Sequence, residues 1–296
     1  MSEETKAQTA QLYVVATPIG NLSDASPRMR EVLSQVDVIA AEDTRTCQSL
    51  LRLLEITAKN LVSYHDHNEK EFAPKLCDRI LKENISVALV SDAGTPCVAD
   101  PGYRLLREAH ARGIKVSCVP GTSALAAFLS VSGLRPLPLL FYGFLPNKKS
   151  QKLELFSEWQ ELGSTTTVFY EAPQRIVESL SLLAEIFPKQ KICVARELTK
   201  FYEEIVHGEA ESVSANFAQR TLIKGEFVVG IELEGQEQKQ KAHFDQEQVV
   251  LELQKAVLEC ISANMGTKEI QQNFVQAGLS KKFVFDFVAQ LKNSLA

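Results

Sequence analysis

Short, mainly apolar runs recur along the first half of the chain, at positions 12–17, 37–41, 61–63, 87–90 and 115–119. Each reads as a strand; the first, continuously apolar, reads as buried on both faces, and 87–90 reads as buried. Between them lie segments whose apolar positions have helical spacing, as in 103–112, where Leu105, Leu106 and Ala109 share a face. Ser26-Pro27 marks one helix start, a capping side chain followed by proline at the first helical position. For the 103–112 helix, Asp100 is the expected cap, Pro101 suits the first turn and Gly113 suits the end. Strand and helix alternating in this way predict an α/β fold built on a mainly parallel sheet.

The alternation breaks at Gly133-Leu134-Arg135-Pro136-Leu137-Pro138, whose glycine and prolines predict a hinge. A second α/β unit follows, with strands at 139–142, 165–170, 191–196, 203–207 and 226–233. Its first helix carries Leu153, Phe156, Trp159 and Leu162 on one face. Positions 236–241 are uniformly polar and read as a linker. Beyond them, 249–261, 267–277 and 280–295 have helical spacing, the last two joined by a short turn in a helix-turn-helix-like pattern. The expected organisation is an α/β domain over 11–133, a second over 138–235 and a helical tail over 242–296.

Composition changes this picture mainly by exclusion. A net charge of −5, with 45% apolar and 23% charged residues, argues against a chain coated in nucleic acid but leaves room for a local basic groove. No apolar run approaches the ~20 residues of a membrane span. Residues 1–10 lack the apolar core of a secretory signal, so the expected location is the cytoplasm. Cys47, Cys77, Cys97, Cys118, Cys193 and Cys260 are scattered with no CxxC pair, which predicts buried free thiols rather than disulfides or a zinc site.

Neither a GxGxxG after the first strand nor a GxxxxGK[ST] occurs, so a Rossmann dinucleotide site and a Walker-type phosphate loop are not expected. What recurs instead is glycine, proline and charge at the carboxyl ends of strands, where open α/β sheets bind ligands. The first strand ends in Thr17-Pro18-Ile19-Gly20-Asn21-Leu22 and the second in Glu42-Asp43-Thr44-Arg45. The fourth runs into Ser91-Asp92-Ala93-Gly94-Thr95-Pro96-Cys97-Val98-Ala99-Asp100-Pro101-Gly102, the fifth into Pro120-Gly121-Thr122-Ser123-Ala124. In the second half Tyr170-Glu171-Ala172-Pro173-Gln174-Arg175 and Arg196-Glu197-Leu198-Thr199-Lys200 hold corresponding places. The carboxylates and guanidinium at 42–45 suit catalysis or substrate anchoring, although an acidic helix cap with a paired arginine is the simpler reading. His65 and His67 invite a metal reading, but no third ligand of recognisable spacing accompanies them, and no metal is expected.

Taken in order, these motifs closely resemble the tetrapyrrole methylase superfamily of S-adenosylmethionine (SAM) enzymes. Within it they resemble the ribosomal RNA small subunit methyltransferase I family, which methylates a cytidine ribose 2′-hydroxyl. The resemblance runs from Leu12 to the helical tail and departs at Gln174, where histidine is expected. It implies that SAM lies folded in a cleft between the two α/β domains. Ile19 and Gly20 would flank it; Asp92, Gly94, Thr95, Pro96 and Val98 would line it from the long loop, and Thr122 and Ser123 from the next turn. Tyr170, Glu171, Phe227 and Val228 would close it from the second domain.

The same resemblance implies small-subunit ribosomal RNA, free or in the 30S subunit, as partner, and a homodimer, with no metal and no membrane. Because the ribose hydroxyl must lose a proton, Asp43 or Glu42 is the candidate base, with Arg45 orienting it or holding a phosphate. Arg28, Arg30, Lys148, Lys149, Lys152, Arg175 and Lys200 are candidates for the RNA backbone. Competing readings are a SAM methyltransferase of a tetrapyrrole or another small molecule, a non-catalytic ribosome-assembly factor using the cleft as a sensor, and a metal hydrolase built on His65 and His67.

Overall fold

The computed structural model describes residues 11–234 apart from residue 59, together with positions 255, 257, 265 and 270. Those positions aside, the helical tail expected over 242–296 lies outside the described residues. The chain divides into two compact units, Met1–Leu233 and Glu234–Ala296, and the first carries both sheets.

The first sheet contains β1 (Gln11–Val15), β2 (Val38–Ala41), β3 (Leu61–Ser63), β4 (Ser86–Val90) and β5 (Lys115–Val119). Its order is β3-β2-β4-β1-β5 and every neighbouring pair is parallel. The connecting helices are α1 (Pro27–Gln35), α2 (Thr44–Leu53), α3 (Glu69–Glu83) and α4 (Tyr103–Ala111), and α5 (Ala124–Val131) follows β5. The unbroken apolar run of β4 has a direct reason. Val87 and Leu89 pack into one core with Leu76, Ile80 and Leu105, while Ala88 and Val90 pack into the opposite core with Met29, Leu33 and Leu51.

The second sheet contains β6 (Leu139–Phe144), β7 (Thr165–Glu171), β8 (Lys191–Arg196), β9 (Glu204–Glu209) and β10 (Phe227–Leu233), in the order β6-β7-β10-β8-β9. Only β6 and β7 pair in parallel; the remaining pairs are antiparallel. Helices α6 (Lys149–Gln160), α7 (Ile176–Ile186) and α8 (Ala210–Ala218) cover one face through Phe156, Trp159, Leu180, Leu183 and Phe217. The other face is covered from the first half of the chain: Phe128 of α5 and Leu134 pack on Val168, Cys193, Ala195 and Val228. Gly230 makes this possible, since a Cβ there would stand 2.7 Å from the Phe128 ring and 2.8 Å from Leu134 Cδ1.

Three expectations are corrected. The 133–138 stretch is not a free hinge. Leu134 is buried, the Arg135 guanidinium meets Glu232 at 2.8 Å, and Thr166 bonds the carbonyl oxygens of both Arg135 and Pro138. Asp100 does not cap α4; Gly102, at φ +137°, occupies the cap position without a side chain. Lys152 does not face solvent. It lies fully buried on the inner side of α6, its ammonium 2.9 Å from both Glu178 and Ser179 and 3.8 Å from Glu171. A buried lysine needs such partners, because desolvating an unpaired charge costs several kcal/mol, of order ~5.

Among the described residues no helix is long and apolar enough to cross a membrane. The described cysteines are free; Cys47, Cys77 and Cys193 are buried and Cys118 is exposed on β5.

Two substitutions test the packing. Gly230→Ala should lower stability by ~1–3 kcal/mol in denaturant unfolding, because the methyl group must displace Phe128 or Leu134. Lys152→Met should cost ~3 kcal/mol or more, since it strips a partner from buried Glu171. Glu178→Gln, at the half-exposed end of the same network, should cost less than ~1 kcal/mol.

Candidate functional site

Strands β4, β1 and β5 are neighbours, so the loops leaving their carboxyl ends adjoin. Hydrogen bonds lace these loops together. Thr17 and Gly94 exchange backbone bonds at 2.8 and 3.0 Å, the Thr95 hydroxyl donates to the Thr122 carbonyl at 2.9 Å, and the Thr122 hydroxyl donates to the Thr17 carbonyl. Gly94 adopts φ +83°, and a Cβ there would press to 3.3 Å from Ile19 Cγ2, so this position favours glycine twice over. Ser123 caps α5 at the same end.

The second sheet supplies the opposite wall through its register. Antiparallel pairing sets Glu171 beside Phe227 and Tyr170 beside Val228, so the end of β7 and the start of β10 reach the same place. Between the two sheets lies a cavity of about 630 Å³. Ile19, Asp92, Gly94, Thr95, Val98, Ser123, Tyr170, Glu171, Phe227 and Val228 all line it, as does Glu42. Thr122, Pro96 and Gly20 are not among the lining residues. Thr122 is engaged with Thr17 and Thr95, Pro96 is buried, and Gly20 is exposed, with the Lys200 and Thr199 side chains close on one side of it.

Sequence reasoning missed Asp66, Asp100, Phe144 and Glu226 on this wall. Asp100 stood in a motif already noted but looked like a helix cap; Asp66, between His65 and His67, was given no role. Phe144 and Glu226 carried no signal of their own.

The cavity is rich in carboxylates. Glu42 accepts the Asp92 backbone N–H at 3.4 Å, and Asp92 accepts that of Asp43 at 3.1 Å, so these acids tie the ends of β2 and β4 together. Burial raises the pKa of both. Asp100 is pushed up to about 6, by burial first and then by the charges of Asp92 and Asp66. The Tyr170 hydroxyl rises to about 12, again through burial and then through the Asp100 charge. Glu171 is fully buried and held on every side. It accepts the Ala172 N–H at 2.8 Å and the Ser179 hydroxyl at 2.6 Å, pairs with Arg175 at 2.5 Å and has Lys152 at 3.8 Å.

Asp43 belongs elsewhere. It is the N-cap of α2, accepts the Arg45 N–H at 2.8 Å and pairs with the exposed Arg45 guanidinium at 2.5 Å. Those bonds hold its carboxyl far below the usual range, which suits a cap and unfits it as a base. Of the basic candidates, Arg28, Arg30, Lys148 and Lys149 are exposed. Arg175 is engaged with Glu171 and Asn147, and Lys200 is held at 2.9 Å by both Glu197 and Glu226. Buried Lys152 has no route to an RNA backbone.

Comparison with known proteins agrees with this architecture. Residues 11–214 match the family model of tetrapyrrole (corrin/porphyrin) methylases. The ribosomal RNA small subunit methyltransferase I of Bacillus subtilis is 39% identical over 97% of this chain and 96% of its own length. That of Xylella fastidiosa is 45% identical over 74% of this chain and 80% of its own. Among solved structures, a diphthine synthase superposes with a TM-score of 0.57 at 14% identity, covering 75% of this chain and 89% of that one. The uroporphyrin-III C-methyltransferase of Thermus thermophilus, complexed with S-adenosylhomocysteine, gives 0.51 at 17% identity, covering 74% and 96%. The last two share the fold. Matched along nearly its whole length by relatives of one name, the chain belongs to the ribosomal RNA small subunit methyltransferase I family of the tetrapyrrole methylases.

Proposed function

We propose that the protein transfers a methyl group from SAM to the ribose 2′-hydroxyl of a cytidine in small-subunit ribosomal RNA. The observation that carries the reading is a mixed acidic and apolar cavity between two sheets, in a chain 39% identical to a methyltransferase of that name. The lining fits the ligand. SAM carries a cationic sulfonium and an ammonium, which the carboxylates of Glu42 and Asp92 complement, while Ile19, Val98, Phe227 and Val228 offer apolar surface to an adenine ring. When bound, SAM supplies an electrophilic methyl group.

The protein's share of the reaction is chiefly positioning. A cleft with fixed walls brings acceptor and donor into line and excludes water, and such orientation alone can lower a barrier by ~7–11 kcal/mol. Exposed Arg28, Arg30, Lys148 and Lys149 are suited to the RNA phosphates, and binding through them weakens as salt rises. Arg175 and Lys200 serve the cleft rather than the RNA, the first by bracing Glu171 and the second by pairing with Glu197 and with Glu226 on the cavity wall. The protein acts on ribosomal RNA in the cytoplasm, as a homodimer.

Calorimetric titration with SAM, alongside methyl transfer to 30S subunits and to free small-subunit RNA, tests the reading. Wild type should bind SAM at micromolar levels and label the RNA. Thr95→Trp, which places an indole in the cavity, should stay folded and lose binding by more than ~100-fold. Absence of SAM binding by wild type, or methylation of a small molecule with RNA inert, would overturn the proposal.

A further inference from the structure

The functional reading leaves open which group takes the proton from the ribose hydroxyl. Among the acids at 42, 43, 66, 92 and 100, three are already committed to structure. Asp43 caps α2 and holds Arg45, and Glu42 and Asp92 accept backbone N–H groups across the β2 and β4 loops. Asp66 sits on the loop after β3, at the far side of the first sheet from β1 and β5. Asp100 differs from all of them. It lines the cavity from the long loop after β4, half-buried on that wall.

Its backbone is held firmly. Cys97 at φ +68° and Gly102 at φ +137° turn the loop sharply on either side of it, and a Cβ at Gly102 would stand 2.7 Å from Leu89 Cδ2. The titratable groups that face Asp100 are Glu42 after β2, Asp66 after β3, Asp92 after β4, Cys97 on its own loop and Tyr170 of β7. No cation faces it among these groups, so its charge is left for a ligand or for a proton.

We propose that Asp100 is the general base of methyl transfer, an assignment that rests on the functional reading above. The ribose 2′-oxygen gives its proton to the Asp100 carboxylate as it bonds to the methyl carbon. The carbon–sulfur bond breaks, and its electron pair stays on sulfur, leaving a neutral thioether. The newly protonated Asp100 then returns its proton to solvent once the methylated RNA has left the cleft. A carboxyl whose pKa lies near 6 is well matched to this task, being ionised at neutral pH yet more basic than an exposed aspartate.

The test compares wild type with Asp100→Asn and Asp100→Glu in single-turnover transfer to ribosomal RNA, with SAM affinity measured by calorimetry and the Asp100 carboxyl followed by carbon-13 NMR in the ligand-free protein. The expected result is a rate loss of ~10²–10⁴-fold in Asp100→Asn. SAM affinity should change by less than ~10-fold and Asp100→Glu should recover part of the rate. The wild-type rate should climb with pH through about 6, following the NMR titration, and this limb should vanish in Asp100→Asn. An Asp100→Asn enzyme within ~10-fold of wild type, or a pH limb abolished by Glu42→Gln instead, overturns the assignment. If wild type itself transfers no methyl group to ribosomal RNA, the functional reading fails first and takes the base with it.

Discussion

Phe128 lies against the middle of the second sheet because position 230 has no side chain. That contact determines how the halves of the molecule meet. Helix α5 leaves the functional end of the first sheet and lies directly on β10, so the chain passes from one sheet to the other without a flexible joint. The following segment is fastened as well, through the Arg135–Glu232 pair and the bonds of Thr166. The carboxyl end of β7 and the start of β10 are thereby held opposite the loops after β1, β4 and β5. The cavity is the gap that this packing leaves.

Within the gap, acids of one chemical type have been given different work by their surroundings. Asp43 caps α2, pairs with exposed Arg45 and stays ionised. Asp100 is half-buried among other carboxylates and holds protons more tightly. Glu171 is buried outright, yet Lys152, Arg175 and Ser179 satisfy it. The same side-chain chemistry therefore serves as cap, as proton acceptor and as wall, and only the neighbours differ.

Much of this was legible along the chain. The central strands announced themselves as short apolar runs because both of their faces are covered, and the cleft residues stood out because they cluster where strands end. What local pattern could not convey was direction and distance. An apolar run does not state whether its strand runs parallel or antiparallel, so the mostly antiparallel second sheet was hidden. Lys152 looked like Lys148 and Lys149 because its burial is decided by Glu171, which lies on another element. Asp100 looked like a helix cap because Asp-Pro suits that place. The glycine two residues on takes the position instead and frees the carboxylate for the cavity.

The lacing of Thr17, Gly94, Thr95 and Thr122 has a thermodynamic consequence for whatever enters the cleft. Ordering a mobile loop costs about 1–2 kcal/mol of backbone entropy per residue, and a binding site built from loose loops must spend its contacts on that cost. Here the loops are tied to one another by their own backbone and hydroxyl groups before any ligand arrives. Little ordering remains to be done, and the contacts a ligand makes can appear as affinity and as alignment for reaction.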